Sequence, residues 1–412
     1  MMSRHCTADQ KWTRNTLLLL MLVLTACSSG GNEPLKIGVL HSLSGAMAGS
    51  EVPMVDAVQL AVEELNQQGG VLGRRVEMVV GNTRSDPDVA AQEAERLIGE
   101  EGVEVLFGCW TSICRKTVKK VVEQRQHLLF YPLQYEGLER SPHIIYTGSV
   151  PNQQIIPALR WSMDHIGKRF YLVGSDYIFP RQANQLIKEL ALSQGAELLG
   201  ERYLPLGSNE TTSIVEEIAA LRPDVVFNTI NGDTNYAFFD ALRQAGLTGD
   251  RIPVLSFSIA EVELSRQPDL MMGHYAVWSY FQSIDTPRNR AFVAAFRKRF
   301  GPKRVVDDPM EATYLGVLLW AQGVQEAQNA TPNKVISSIL RQSLDAPQGI
   351  VSLDRASHHL WRTVRIGRAR VDGQFDIVWS SERPIRPQPF PYWHENWSAA
   401  SHADFLSTRG QP

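Results

Sequence analysis

The stretch Val105-Leu-Phe-Gly-Cys-Trp-Thr-Ser-Ile-Cys-Arg-Lys116 contains a strand, a turn and a helix start. The apolar, β-branched residues up to Phe107 predict a buried strand, which Gly108 ends. Ser112 could cap the helix that follows. The turn therefore lies at the carboxyl end of a strand, where open α/β sheets bind ligands. Its aromatic wall and hydroxyls favour a pocket for a small, uncharged polar molecule, and the alternative is a connecting loop with Trp110 in the core.

Strand and helix patterns alternate along the chain in two series, over residues 35–137 and 153–259. This alternation is typical of parallel sheets covered by helices on both faces. A chain of 412 residues also exceeds the usual size of one compact core. We therefore predict an α/β fold of two similar, Rossmann-like lobes with a ligand cleft between them.

The last third of the chain departs from this alternation. Tyr275 to Gln282 predicts a strand that returns to the first lobe, and helices follow. After Gly349 the pattern becomes antiparallel, with a hairpin turn signal at Asp372-Gly373. The predicted boundaries are 35–149 with 283–344 for the first lobe, 150–282 with 345–390 for the second, and 391–412 for a tail.

The first 26 residues have the pattern of an export signal. Three basic residues precede the apolar run from Leu17 to Leu24, which is too short to span a bilayer. Leu24-Thr-Ala-Cys27 resembles a bacterial lipobox, which implies that Cys27 is acylated and that residues 27–34 form a tether. The alternative is plain export with cleavage nearby. An exported, membrane-tethered lipoprotein is expected.

The composition excludes several classes of function. The formal net charge is −3 and no basic block is present, so nucleic acid is not expected as a partner. No phosphate-binding loop, nucleophile elbow or zinc-protease motif occurs, and neither a cofactor nor a metal is predicted. Cys109 could serve an amide-cleaving enzyme, but we expect it to be buried and reduced rather than bridged to Cys114. His358 and His359 are expected at the surface.

Polar and aromatic residues follow strands in both series and form a coherent candidate site. Trp110 and Tyr177 are the least easily explained otherwise, because neither is a natural turn residue. Ser112 and Asp233 could instead be helix caps. The candidates are Ser42, Ser44, Trp110, Thr111, Ser112 and Gln134 in the first lobe, and Tyr177, Asn231, Asp233 and Ser258 in the second.

Several motifs resemble one known group, the type I periplasmic substrate-binding proteins of the branched-chain amino-acid class, and within it the urea and short-chain amide binders. They run from about residue 36 to 387 and include Leu40-His-Ser-Leu-Ser-Gly45, Phe107-Gly-Cys-Trp-Thr-Ser112, Leu129-Phe-Tyr-Pro-Leu-Gln-Tyr-Glu-Gly137, Gly174-Ser-Asp-Tyr177, Asn228-Thr-Ile-Asn-Gly-Asp233 and Asp345-Ala-Pro-Gln-Gly349. The resemblance implies two lobes with three crossing segments, a cleft that closes on the ligand, and delivery to an ABC importer permease.

The export signal, Trp110 and Leu133-Gln134 resemble the urea-importer branch rather than the cytoplasmic amide sensors of the same fold. Cys114 and Lys119-Lys120 depart from the importer pattern, which puts packing behind the turn in doubt. An amide sensor and a branched-chain amino-acid binder remain the alternatives, and an amidase or a sensory ectodomain are rival classes.

Urea would need more acceptors than donors from such a pocket, because its unpaired burial costs several kcal/mol. Asp233, Gln134 and Asn231 could accept from its amide groups, and Ser112 could donate to its carbonyl. Trp110 and Tyr177 would then hold the flat molecule from the two lobes.

Overall fold

A computed structural model describes residues 33–390. The signal, Cys27, most of the tether and the 391–412 tail lie outside the described residues. Two sheets organise the rest, one of eight strands and one of seven. The predicted fold class, two α/β lobes, is confirmed.

The first lobe is built on a parallel sheet that antiparallel strands extend. Its strands are β1 (Leu35–His41), β2 (Val76–Asn82), β3 (Leu106–Gly108), β4 (Leu129–Tyr131), β5 (Ile144–Tyr146), β11 (Ser343–Ala346), β12 (Gly349–Asp354) and β13 (His359–Trp361), in the order β11-β12-β13-β5-β4-β3-β1-β2. Its helices are α1 (Ala48–Gln67), α2 (Pro87–Gly99), α3 (Ser112–Gln124), α10 (Pro287–Phe300), α11 (Asp308–Ala327) and α12 (Pro332–Ile339).

The second lobe repeats the plan. Its strands are β6 (Arg169–Ser175), β7 (Glu197–Leu204), β8 (Val225–Thr229), β9 (Val254–Ser256), β10 (Tyr275–Trp278), β14 (Arg365–Ala369) and β15 (Phe375–Ser380), in the order β15-β14-β10-β9-β8-β6-β7. Its helices are α4 (Ile155–His165), α5 (Ile178–Ser193), α6 (Thr212–Leu221), α7 (Thr234–Gln244), α8 (Glu261–Arg266) and α9 (Pro268–Met271), and a short 3-10 turn covers Pro151–Gln153. The predicted hairpin turn at Asp372-Gly373 joins β14 to β15, and Gly373 has the positive φ such turns need.

Two sequence-based assignments differ from the sheets. β10 does not return to the first lobe; it pairs with β9 and β14 in the second sheet. Residues 345–361, assigned to the second lobe, lie in strands of the first, where His359 pairs with Tyr146. An antiparallel pattern shows that strands pair locally but does not show which sheet they extend, so the sequence could not place them.

The chain crosses between the sheets three times, after β5, after β10 and after β13. One buried ion pair holds all three crossings. Arg362 donates to Asp308 Oδ2 at 2.8 Å and to the carbonyl of Thr147, in the first crossing, at 2.9 Å. Asp308 Oδ2 also accepts from the backbone N–H groups of Ser279 and Tyr280, in the second crossing. Because Arg362 itself begins the third crossing, this pair fixes the hinge between the lobes.

Candidate functional site

The turn after β3 is held in shape from several sides. A Cβ on Gly108 would lie 2.1 Å from the Leu40 carbonyl oxygen, so only glycine fits there. Cys109 has a φ of 64°, which turns the chain sharply before the helix. Thr111, rather than the predicted Ser112, is the N-cap of α3, and its side chain accepts from the Cys114 N–H at 3.3 Å. The turn is thus a defined structure between strand and helix.

Cys109 and Cys114 form a disulfide, so the expectation of a reduced Cys109 is wrong. The left-handed Cys109 and the first helical turn bring their Cα atoms to 5.6 Å, within the range that a disulfide spans. A sequence separation of five gives no such distance. The bridge closes a small ring around Trp110 and Thr111 and limits the conformations that this turn can adopt.

Behind the turn lies a buried network of charged groups. Ser112 donates its hydroxyl proton to Glu136 at 2.5 Å, so that proton is not free for a ligand carbonyl. Arg115, with no exposed surface, pairs with Glu136 and Glu139, each at 2.9 Å. Ser112 therefore connects the turn to the first-lobe core, contrary to its predicted role as ligand donor.

Two predicted residues of the first lobe contact the second lobe directly. The Trp110 indole N–H donates to Asn231 Oδ1 at 3.1 Å. The Gln134 amide donates to the carbonyl of Phe257 at 2.8 Å, while its own oxygen is buried without a partner among the described residues. Leu133, beside it, is buried. The structure thus places Trp110 and Asn231 in one contact between the lobes and Gln134 in another.

The other second-lobe candidates are divided between the boundary and the surface. Asn231 donates its side-chain amide to the Thr229 carbonyl, and Ser258 donates to the carbonyl of Ile230, so both are fixed within their own lobe. Asp233 is exposed before α7 without a side-chain cap. Ser44, in the first lobe, is also exposed and accepts from Asn82 at 3.4 Å. Ser44 and Asp233 are therefore not brought together with the buried group.

A cavity of about 70 Å³ lies between the lobes next to the turn. Thr111 and Cys114 border it from the first lobe, and Tyr177 and Leu206 from the second. A buried water needs about 10–15 Å³ of such space, and drug-sized ligands occupy about 300–1,000 Å³. The cavity suits a molecule of a few heavy atoms. Its remaining lining residues are Ser42, Met47, Glu51, Thr83, Ser85, Asp86, Pro87 and Ile113.

Two larger depressions, of about 810 and 850 Å³, lie on the second lobe and share Asp250 and Arg368. Only second-lobe residues line these two depressions, so neither lies in the cleft between the lobes. We therefore take the small interlobe cavity as the candidate site.

Tyr177 completes the cavity from the second lobe. Burial raises the pKa of its phenol well above the ordinary value, and the nearby Tyr131 and Glu136 raise it further. The hydroxyl is therefore a proton donor at any physiological pH. Within residues 33–390 it makes no hydrogen bond, so it can donate to a guest. Trp110 does not line the cavity, and the predicted clamp by both rings stays a prediction.

Glu51 is a cavity residue that sequence reasoning missed. It lies in the first turn of α1 and is 3% exposed. Oε2 accepts from His41 Nδ1 at 2.9 Å and from the Ser42 N–H at 3.0 Å. Acidic residues are common in first helical turns because the helix dipole favours them, so no sequence pattern singles out Glu51.

His359 was expected at the surface but is fully buried. Its ring stacks on Tyr146 at 4.2 Å, and its two nitrogens contact the Tyr135 hydroxyl and the Ser357 carbonyl. With both nitrogens engaged, His359 is a packing residue of the first lobe. A strand pattern that alternates between buried and exposed residues does not show that His359 is buried, because strand β13 begins at His359 and does not include His358.

The fold and the interlobe cavity define a class of bilobal binding proteins, and comparison with known proteins identifies the family. A family model described as a periplasmic binding protein domain matches residues 35–396. The chain belongs to this family, as a type I periplasmic binding protein of the branched-chain amino-acid-binding class. It is thus a substrate-binding protein of an ABC transporter, which implies an extracytoplasmic location. None of the helices between residues 33 and 390 combines the length and the apolar composition of a transmembrane span.

A named relative agrees with this family, and solved structures agree with the fold. The chain is 32% identical to Leu/Ile/Val-binding protein homolog 7 of Brucella abortus over 314 residues, covering 70% of this chain and 76% of that protein. It resembles a Rhodopseudomonas palustris solute-binding protein in complex with 3,4-dihydroxybenzoic acid, with a TM-score of 0.76, 20% identity and coverage of 86% and 99%. It also resembles a Streptococcus pneumoniae branched-chain amino acid transporter substrate-binding protein in complex with isoleucine, with a TM-score of 0.74, 16% identity and coverage of 86% and 100%.

A different match covers only part of the chain. Limonene hydroxylase of Geobacillus stearothermophilus is 41% identical over 117 residues, which are 28% of this chain and 21% of that protein. The full-length relatives are binding proteins of transporters, not enzymes.

Proposed function

We propose that this protein captures urea, or a short primary amide, in the interlobe cavity and presents it to the permease of an ABC importer. The observation that carries the proposal is the size of that cavity, about 70 Å³ between the turn after β3 and Tyr177. Urea and acetamide have four heavy atoms each and are flat, so they fit a space of a few water volumes.

The polarity of the cavity also supports a neutral guest rich in N–H groups. Among its lining residues, all within the described part of the chain, none is lysine or arginine, while two are carboxylic acids. A carboxylate ligand would therefore be buried without a cationic partner, which is costly. An amide instead offers N–H donors to carboxylate oxygens, and its carbonyl can accept from Tyr177.

A branched-chain amino acid is the second candidate ligand, and the names of the relatives favour it. Leu/Ile/Val-binding protein homolog 7 is a relative of this chain, and the structure in complex with isoleucine shares its fold. Against it stand the small volume of the cavity and its acidic lining, since isoleucine is about twice the size of urea and carries a carboxylate. An amide sensor of the same fold would bind the same ligands and differ in its partner.

Isothermal titration calorimetry on the purified protein tests the ligand assignment. We expect urea or acetamide to bind, and isoleucine and benzoate to give no heat of binding. The best tiny ligands gain about 1.5 kcal/mol per heavy atom, so four atoms give about 6 kcal/mol and a Kd of roughly 40 μM. Binding of isoleucine without binding of urea and acetamide would refute the assignment, and ammonia release from either amide would indicate an amidase.

We further propose that Cys27 carries a lipid anchor that tethers the mature protein to the membrane. The support is the Leu24-Thr-Ala-Cys27 sequence directly after the apolar run. In a bacterial host, the wild-type protein should sediment with membranes and incorporate labelled palmitate. A Cys27→Ser variant should lose the label, whereas Cys6→Ser, upstream of the apolar run, should keep it. Equal labelling of both variants would contradict the anchor.

A further inference from the structure

Most polar groups around the cavity are already engaged with each other. The hydroxyls of Ser42 and Thr83 share a hydrogen bond at 2.7 Å, and Ser85 donates to the Ser44 carbonyl. Thr111 caps α3, and Asp86 caps α2 through two backbone N–H groups. These side chains shape the wall, but their hydrogen bonds serve the protein rather than a guest.

Glu51 is different, because its carboxylate is buried and uses only one of its two oxygens, whereas Asp86 is exposed to solvent. Oε2 accepts both recorded hydrogen bonds, from His41 and from the Ser42 backbone. No group within residues 33–390 donates to Oε1. The side chain is only 4% exposed, but Oε1 is not among the atoms sealed from solvent, so this oxygen is accessible from the cavity that Glu51 lines. A carboxylate oxygen that no protein group donates to, in so small a space, gains a hydrogen bond when a guest supplies an N–H group.

We infer that Glu51 Oε1 is the acceptor for the –NH₂ group of the ligand, and that this contact selects primary amides over molecules of the same shape without N–H. This inference rests on the proposed function and identifies the residue of that site that accepts a hydrogen bond from the ligand. His41 and the Ser42 N–H hold the carboxylate in place from the opposite side, so the free oxygen is oriented before the ligand arrives.

Each lobe then forms a hydrogen bond with a different end of the planar amide group. Glu51 in the first lobe accepts from the amide nitrogen, and the Tyr177 phenol in the second lobe donates to the carbonyl oxygen. Because the amide joins a first-lobe acceptor to a second-lobe donor, its binding favours the closed arrangement of the lobes over any open one. A ligand without N–H would leave Glu51 unpaired and would lose this preference.

An isosteric series tests the inference on the wild-type protein. Urea, acetamide and acetone each have four heavy atoms in nearly the same plane but carry four, two and no N–H groups. A hydrogen bond to a charged group is worth roughly 10- to 100-fold in affinity. We expect calorimetry to show acetamide binding at least about 10-fold tighter than acetone.

Glu51→Gln should reduce that preference, because the new amide turns a pure acceptor into a group that also donates. If Glu51 had only a structural role, the substitution would weaken the binding of acetamide and of acetone by the same factor. If Glu51 is the acceptor, the ratio of the two affinities changes. Glu51→Asp keeps the charge and serves if Glu51→Gln does not fold. Glu63→Gln is the matched control on the same helix, where Glu63 pairs with Arg299 on the outside, and its ratio should equal that of wild type.

The outcomes separate the inference from the function that it rests on. If wild type binds neither urea nor acetamide, the proposed function fails. If wild type binds acetamide and acetone equally, or if the acetamide-to-acetone ratio is unchanged in both Glu51 variants, the assignment of Glu51 is overturned while the amide-binding function stands. A ratio that falls in the Glu51 variants but not in Glu63→Gln supports it.

Discussion

Arg362→Ala should lower the free energy of unfolding by about 3–5 kcal/mol, because it removes one member of a fully buried ion pair. Asp308 would remain in the core without its guanidinium partner at 2.8 Å. The variant would also lose the hydrogen bond to Thr147 and the contact with Gln348 at 3.3 Å, which together hold the crossings between the lobes. Denaturant unfolding followed by tryptophan fluorescence measures the loss.

Two further variants make this result specific to the buried pair. Arg362→Lys keeps the charge but cannot reproduce three directed N–H groups, so an intermediate loss is expected. Arg96→Ala removes an arginine that is 30% exposed and pairs with Glu93 and Glu101, and should cost no more than about 1 kcal/mol. Equal losses for Arg362→Ala and Arg96→Ala would contradict the role of Arg362 at the hinge.

Arg115→Ala should be comparably destabilising at pH 7, by about 3–5 kcal/mol, because Glu136 and Glu139 would remain buried without their shared partner. The same variant should weaken ligand binding, since Arg115 also contacts Ser112 at 3.1 Å behind the ligand turn. Arg125→Ala, at the end of the same helix, removes an exposed pair with Glu95 and is the matched control.

The loss of unfolding free energy in Arg115→Ala should depend on pH in one direction. Burial raises the pKa of Glu139, but Arg115, Lys116 and Lys119 outweigh it and lower the pKa to about 2. A carboxyl whose folded pKa lies below its unfolded value of 4.5 stabilises the fold above pH 4.5, and this contribution fades as the pH falls toward 2. The loss of stability caused by Arg115→Ala should therefore be larger at pH 7 than at pH 3. A loss that grows as the pH falls would contradict the proposed stabilisation of the Glu139 carboxylate by Arg115.

Much of the architecture could be predicted from the sequence, because the periodicity of apolar residues and the residues of tight turns are local features of the chain. Alternating apolar runs gave both sheets, and Asp372-Gly373 gave a hairpin that the structure confirms. The sheet to which residues 343–361 belong depends on the pairing of His359 with Tyr146, more than 200 positions apart, and no local pattern encodes it.

The candidate site was predicted in part for the same reason. Strand ends singled out Thr111 and Tyr177, which line the cavity, and Trp110, Gln134 and Asn231, which make contacts between the lobes outside its lining. Strand ends do not show which side chains are buried and which stay exposed, and Ser44 and Asp233 are exposed. Glu51 follows no strand directly, and its free oxygen is visible only once His41 and Ser42 are seen to occupy the other.

We propose that a small neutral amide occupies the cavity between the turn after β3 and Tyr177. A crystal structure of the protein grown with saturating urea is the decisive test of this proposal. We expect one flat, four-atom ligand enclosed between the lobes, with a nitrogen at Glu51 and its oxygen toward Tyr177. Urea bound only outside this cavity, or an amino acid retained in the cleft in its place, would contradict it.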